Sequence, residues 1–270
     1  MAHRPAIINV MVGAALKAAR GLVRDFGEVE QLQVSRKGPA DFVSEADRRA
    51  DRLLIAELRK GRPQFGLLTE ESGELEGEAG APRWVVDPLD GTSNFLHGLP
   101  HWAISIGVEE NGALTAGLIY DPVKDEMFWA VKGGGAYLND RRLRVSSRKD
   151  MKSCLIATGI PFAGHGDPAA FSAALGAVMP EVAGIRRFGA ASLDLAYVAA
   201  GRFDGFWEDG LGPWDMAAGI LLVQEAGGLV TDLRGSDAMM TRGDVVACNS
   251  AIHSRLHKIV AQALKPSLRH

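Results

Sequence analysis

The sequence predicts a layered α/β (α+β) fold, and three observations carry that reading. Short apolar runs of strand character end in acid at Thr69-Glu70, Val86-Asp87 and Trp207-Glu208. Stretches with helical spacing or high alanine content fall between the strands. Residues 102–108 and 113–120 alternate as strands about Asn111-Gly112, a strong hairpin signal. The length of 270 residues suits one large domain or two closely packed ones. We read one compact unit, with an N-terminal α+β half over 1–150 and a C-terminal α/β half over 151–270.

Taken in order, Ile7, Val10, Met11, Ala14 and Leu22 recur at helical spacing, so a first helix runs from Ala6 to Phe26, with Gly27 as its stop. Residues 29–36 alternate loosely as a strand, and Lys37-Gly38-Pro39 reads as a turn. Phe42-Val43-Ser44 leads into a helix from Glu45 to Lys60, where Ser44 and Asp47 have the spacing of a capping box. Asp47 reads equally as a cap or as a residue near a reaction centre. Phe65 to Thr69 is a strand, and the Gly- and Glu-rich stretch 72–80 reads as a mobile loop. After the hairpin, Glu126 to Val131 continues the meander and Gly133-Gly134-Gly135 turns it. Arg141, Arg142 and Arg144 read as a solvated edge.

In the second half, Ser153 to Ala157 reads as a strand, 168–179 as a helix and 185–188 as a short strand. An Ala-rich helix follows Gly189 and ends at Ala200. Arg202 to Glu208 is a strand. Pro213-Trp214-Asp215 opens a helix to Glu225, with proline in the favoured first turn and Asp215 where the macrodipole favours negative charge. Gly227-Gly228 ends it, and a strand near 245–247 and a helix over 252–264 close the chain.

Composition excludes several classes. A formal net charge of −3 gives no basic field for nucleic acid. The two cysteines, Cys154 and Cys248, have no metal spacing and suggest a reducing compartment. The apolar start, Ala6 to Leu16, lacks a signal-peptide cleavage site, and Lys17, Arg20, Arg24 and Asp25 interrupt it before membrane-spanning length. A cytoplasmic protein is therefore expected. Ser93, Ser105 and Ser192 have no histidine at a suggestive spacing, and His97 and His101 read as packing or surface residues. The five tryptophans read as core or cleft wall.

The chemistry gathers on Trp84-Val85-Val86-Asp87-Pro88-Leu89-Asp90-Gly91-Thr92-Ser93-Asn94-Phe95. An apolar strand breaks at Pro88 and Gly91, and Thr92, Ser93 and Asn94 are helix-starting types. Such a turn brings two carboxylates and backbone N–H groups to one spot. Glu70, Asp87, Asp90 and Asp215 all lie at strand ends or a helix start, which converge at a cleft in layered α/β folds. Converging carboxylates call for a hard cation, and all-oxygen ligation indicates Mg²⁺, with Mn²⁺ as the alternative. Two such ions can clamp a phosphate and activate water.

These stretches, with Trp214-Asp215-Met216-Ala217-Ala218-Gly219, Gln224 to Gly228, Lys37, Asp41, Asp47 and Glu70-Glu71, resemble the inositol monophosphatase family of metal-dependent phosphatases. The resemblance spans nearly the whole chain, and Gly159-Ile160-Pro161-Phe162 and Asp194-Leu195-Ala196-Tyr197 look most like bacterial members. It implies an α-β-α-β-α sandwich of the sugar phosphatase type, a homodimer, two or three Mg²⁺ ions per subunit and inhibition by lithium. It implies that Glu70, Asp87 and the Leu89 carbonyl hold a first ion, Asp87, Asp90 and Asp215 a second, and Glu70 helps with a third. A water on the first ion, oriented by Glu70 and Thr92, would attack phosphorus, with Asp47 in the catalytic group, and the second ion would stabilise the leaving alkoxide. Gly91 and Thr92 would hold phosphate oxygens. Asp90, Arg186, Gly189, Ala190, Ala191, Glu208 and Asp215 would face the alcohol. Ala190 departs from the Ser or Thr of many relatives, which bears on the substrate. Glu208 suits a polyol, because a carboxylate accepts from hydroxyls. The expected reaction is hydrolysis of myo-inositol 1-phosphate. The alternatives are fructose 1,6-bisphosphate, histidinol phosphate or a nucleoside 3′,5′-bisphosphate as substrate, or a regulatory role with the transcription machinery beside catalysis.

Overall fold

In the computed structural model, which describes residues 4–28, 34–38, 41–161 and 166–264 and the side chains of all these but 34–38 and 41–44, the first amphipathic stretch forms α1 (Ala6–Phe26). Its small and apolar side, including Ile8, Met11, Ala15 and Leu22, is buried and packs on α2 (Glu45–Gly61). Between the helices, β1 (Val34–Gly38) and β2 (Asp41–Ser44) pair antiparallel. The strand expected over 29–36 thus appears over 34–38, and Lys37 and Gly38 belong to it rather than to a turn. Residues 29–33 and Pro39 lie outside the described residues, as do the side chains of Lys37, Asp41 and Ser44.

The larger sheet contains β3 (Gly66–Thr69), β4 (Gly73–Leu75), β5 (Arg83–Asp90), β6 (Ala103–Glu110), β7 (Ala113–Asp121), β8 (Glu126–Val131), β9 (Gly135–Leu138) and β10 (Arg141–Arg142). Its order is β10-β9-β8-β7-β6-β5-β3-β4, and β3 with β5 is its parallel pair. Asn111 and Gly112 both have positive φ, 51° and 75°, as the tight hairpin between β6 and β7 requires. The exposed β10 is the solvated arginine edge. One expectation is corrected here. Residues 73–75 are not loop but an edge strand that pairs with β3. Ser72 N–H donates to Thr69 Oγ1 at 2.9 Å to close the turn, and Arg83 bridges Glu74 and Glu109. Pairing with a neighbour supplies what the local Gly/Glu composition lacks.

One helical turn, α3 (Thr92–Leu96), follows β5. The second half supplies β11 (Leu155–Thr158), α4 (Pro168–Val178), β12 (Gly184–Arg186), α5 (Ala191–Ala199), β13 (Gly205–Asp209), α6 (Pro213–Glu225), β14 (Gly228–Thr231), α7 (Met239–Arg242), β15 (Asp244–Asn249) and α8 (His253–Leu264). Its five-stranded sheet has the order β12-β11-β13-β15-β14, parallel about β11 and antiparallel about β15.

Three apolar cores separate five layers. One joins α1 and α2 to Trp84, Val86, Ile104 and Trp102 of the large sheet and its approach. A second fills the space around α5 and α6, between Ile119 and Phe128 of the large sheet and Phe206 and Val245 of the small one. The third seals α4 and α8 onto Ile156, Trp207 and Val246. The layering is α-β-α-β-α, as the resemblance implied. Burial on this scale, at about 25 cal/mol per Å² of apolar surface, is the main stabilising term. Helix α6 lies unusually close to the sheet. A Cβ at Gly107 would stand 2.8 Å from Ala217 Cβ, and one at Gly117 2.9 Å from Ala218 Cα. These two glycines let α6 carry Asp215 down to the end of β5.

By length and composition α1 could cross a membrane, against the sequence expectation; of the charged residues that suggest interruption, Lys17, Arg20 and Arg24 are exposed and Asp25 is buried. In this fold its apolar side faces α2 and β7, as a core helix does.

Candidate active site

The site begins at the end of β5, which stays paired with β6 through Asp87 and then slips register before Asp90. Pro88 falls in this slip, where the missing N–H costs no ladder bond. Asp87 Oδ1 accepts from Leu89 N–H at 2.9 Å, which fixes the turn. Gly91 takes the left-handed conformation, φ 87°, and a Cβ there would lie 3.0 Å from His101 O and 3.3 Å from Ala190 Cβ. Only glycine passes at this crossing of two loops. Asn94 Nδ2 ties the same loops, donating to the carbonyls of His101 and Phe188 at 2.8 Å.

Asp215 arrives from the first turn of α6, its Oδ2 accepting from Gly212 N–H at 2.7 Å. Ser105 Oγ donates to Trp214 O and anchors that helix start to β6. Asp90 is held by the start of α5, for Ser192 donates to Asp90 Oδ2 from both its N–H and its hydroxyl. Oxygen atoms of Asp87, Asp90 and Asp215 all lie within 4.8 Å of one another. Glu70 follows β3, its N–H bonded to Val86 O, and its charge acts on all three. Burial first, then the neighbouring carboxylates, push Asp87 and Asp215 well above the usual carboxylate range. Burial pushes Asp90 up to about 6, against the Ser192 bonds that pull it down. This arrangement fits a hard divalent cation: it offers only oxygen donors, crowded, buried and mutually repelling.

Thr92 Oγ1 lies 3.0 Å from both Asp47 Oδ1 and Leu89 O. Asp47, 1% exposed, therefore faces the site from α2, and its capping partner Ser44 falls among the side chains not described. A cavity of about 550 Å³ opens over the cluster. Glu70, Asp90, Gly91, Thr92, Gly189, Ala190, Ala191, Glu208 and Asp215, all named from the sequence, line it. Asp87 sits beneath, 1% exposed. Arg186 does not line it; its exposed side chain turns back to its own strand, where Nη1 donates to Ile185 O. The guanidinium at the cavity belongs to Arg187. His101 is a packing residue as expected, edge-on to Phe188 and Tyr197, and burial lowers its imidazole to about 4. Trp84, Trp102, Trp129 and Trp207 are buried, and Trp214 lines the cavity.

Two functional residues escaped the sequence reading. Ser192 was weighed only as a nucleophile; its place in the first turn of an Ala-rich helix was the available signal for an anchoring role. Arg187 differs from Arg186 by one position, a distinction set by where β12 ends.

A profile of the inositol monophosphatase family matches residues 4–267. The chain belongs to the inositol monophosphatase family. Inositol-1-monophosphatase of Rhizobium meliloti is 54% identical over 261 residues, covering 97% of this chain and 98% of that one. Nus factor SuhB of Pseudomonas aeruginosa is 45% identical over 267 residues, covering 97% and 98%. The crystal structure of the extragenic suppressor protein suhB from Bartonella henselae superposes with a TM-score of 0.92 at 55% identity, covering 95% and 98%.

The carboxylate cluster has a consequence for stability. Folded-state values raised above the ordinary carboxylate range mean that these groups stabilise the metal-free fold fully below about pH 4, where both states are protonated. That contribution is lost as pH rises through about 6 for Asp90, and higher for Asp87 and Asp215. The stability of the metal-free protein, read through its thermal midpoint, is therefore expected to fall as pH rises from about 4 past about 6, by up to about 1.4 kcal/mol per pH unit for each linked proton. Added Mg²⁺ should raise the midpoint more at the higher pH. Thermal scans with EDTA and with Mg²⁺ check this; an equal metal increment at both pH values would contradict it.

Proposed function

We propose that this chain is a Mg²⁺-dependent phosphomonoesterase that hydrolyses myo-inositol 1-phosphate to inositol and phosphate. The carrying observation is the Asp87, Asp90 and Asp215 cluster at the floor of the cavity, with Thr92 bonded to Asp47 beside it. Family membership and the 54%-identical relative named inositol-1-monophosphatase support the same reading. Glu70, Asp87, Asp90, Asp215 and the Leu89 carbonyl would hold two ions, with Glu70 helping a third, and Mn²⁺ is the alternative metal. Bound cations would supply positive charge against the phosphate and the leaving oxygen, and acidity to a bound water.

The chain's own groups do the rest. Thr92 Oγ1 can pass its proton to Asp47 Oδ1 while accepting one from the attacking water; the 3.0 Å contact is suited to that relay. Glu70 orients the same water. Backbone N–H groups of Gly91 and Thr92 receive phosphate oxygens. Ser192 keeps Asp90 in one rotamer. Gly189, Ala190, Ala191, Glu208 and Arg187 bound the space for the alcohol. Fructose 1,6-bisphosphate, histidinol phosphate and nucleoside 3′,5′-bisphosphates are the competing substrates, and phosphate release from that panel decides among them. A homodimer acting in the cytoplasm and sensitive to lithium belongs to the same proposal.

Glu208→Ala is expected to change preference across the panel more than the maximal rate on the best remaining substrate, by about tenfold in relative kcat/KM. Equal losses on every ester would show that Glu208 does not meet the alcohol.

A second reading adds a protein-binding role beside catalysis, with a partner in the transcription machinery. It is supported by the 45%-identical relative named Nus factor SuhB. Affinity capture from the source lysate tests it, and recovery of no stoichiometric partner would remove it.

A further inference from the structure

Asp194 has no part in the chemistry described above, yet it is 1% exposed and lines the cavity. Its Oδ1 is buried with no hydrogen-bond partner among the described residues. Buried polar atoms are almost always paired, and an unpaired one in a pocket wall invites a ligand group to complete it. Asp194 rides in the first turn of α5, two residues after Ser192, which is bonded to Asp90. Its position relative to the reaction centre is therefore rigid. Glu208 projects into the same cavity from β13. Gly159 makes room for it: a Cβ there would lie 1.8 Å from Glu208 Oε1.

We propose that Asp194 is a specificity-determining residue that acts with Glu208 to bind hydroxyl groups on the alcohol portion of a polyol monophosphate. This rests on the phosphatase reading and extends it to a residue with no assigned role. Protonation supports it. Burial, and after it the charge of Glu208, pushes the Asp194 carboxyl well above the usual range. Burial, and after it Asp90, pushes Glu208 up to about 8. A carboxyl that keeps its proton can donate to one hydroxyl oxygen and accept from another hydroxyl, and an ionised one accepts from two. An ester whose alcohol lacks hydroxyls leaves these groups unpaired in a dry wall. Sites built on buried hydrogen-bonding groups discriminate most strongly against such analogues.

The test compares wild type, Asp194→Ala and Asp194→Asn on myo-inositol 1-phosphate and on 4-nitrophenyl phosphate, at saturating Mg²⁺. Thermal midpoints are read for each protein. In Asp194→Ala the ratio of kcat/KM for the inositol ester to that for the nitrophenyl ester should fall at least about tenfold, mainly through KM. Asp194→Asn, which keeps an acceptor and gains donors, should retain more of that ratio. Neither variant should melt below wild type, since Asp194 Oδ1 has no hydrogen bond to lose. A ratio within about twofold of wild type in both variants would overturn the proposal. So would equal losses on both esters with a midpoint lowered by several degrees, the signature of a structural role. Failure of the phosphatase reading looks different: wild type itself would release phosphate from neither ester, and the proposal would fall with it.

Discussion

Asp90→Asn is expected to abolish turnover, by about a thousandfold or more, while the fold stays intact. Asp90 is one of three carboxylates whose oxygens lie within 4.8 Å, and in the proposed function its charge belongs to the ion-binding set. Asparagine keeps the shape, and its carbonyl can still accept from Ser192 N–H, as Asp90 Oδ2 does at 2.8 Å. What disappears is one negative charge. Each 1.4 kcal/mol of lost transition-state stabilisation costs about tenfold in rate, and a weakened ion site costs several such steps. Because that charge is buried among like charges, its loss should leave the metal-free protein as stable as wild type or more so. Steady-state kinetics, Mg²⁺ titration calorimetry and thermal scans check the three parts together. Near-normal hydrolysis by the variant at moderate Mg²⁺ would refute the assignment of Asp90 to the ion site.

Thr92→Val should lower kcat by about 10²–10³-fold with little change in KM, because it removes the hydroxyl of the proton relay and keeps the side-chain volume. The hydroxyl lies 3.0 Å from Asp47 Oδ1 and from Leu89 O, so it fastens β5 to α2 as well. Loss of that contact removes one hydrogen bond from Asp47 Oδ1 and should cost about 1 kcal/mol of stability. Thr92→Ser, which restores the hydroxyl, should recover most of the rate. If Thr92→Val and Thr92→Ser were equally impaired, the methyl contact and not the hydroxyl would be what matters.

The parts legible in the sequence were those set by local chemistry. The spacing of Ile7, Val10, Met11, Ala14 and Leu22 foretold α1, of which Met11, Ala14 and Leu22 are buried, and Asn111-Gly112 foretold a hairpin whose two φ angles are positive. The apolar run broken by Pro88 and Gly91 gave the strand, turn and helix on which Asp87, Asp90 and Thr92 stand. Four acids at element ends foretold a common cleft, since layered folds bring such ends together. What escaped depends on partners distant in the chain. Residues 73–75 are strand only because β3 offers its edge. The strand β14 and the short α7 lie in a stretch with no strong period, and β14 is stabilised by β15 fifteen or more residues on. Gly107 and Gly117 look like ordinary strand glycines until α6 is laid against them. Ser192 and Asp90 meet across 102 residues, a contact that no window of sequence contains. Arg187 rather than Arg186 lines the cavity because β12 ends at Arg186 and Arg187 opens the loop that follows.

Phosphate release from myo-inositol 1-phosphate, followed with Mg²⁺, with EDTA and with Mg²⁺ plus Li⁺, tests the central claim most directly. Fructose 1,6-bisphosphate, histidinol phosphate and adenosine 3′,5′-bisphosphate run beside it. The account predicts release that requires Mg²⁺, is suppressed by Li⁺ and is fastest on the inositol ester. Release that persists in EDTA, or none from any ester at saturating Mg²⁺, would contradict it.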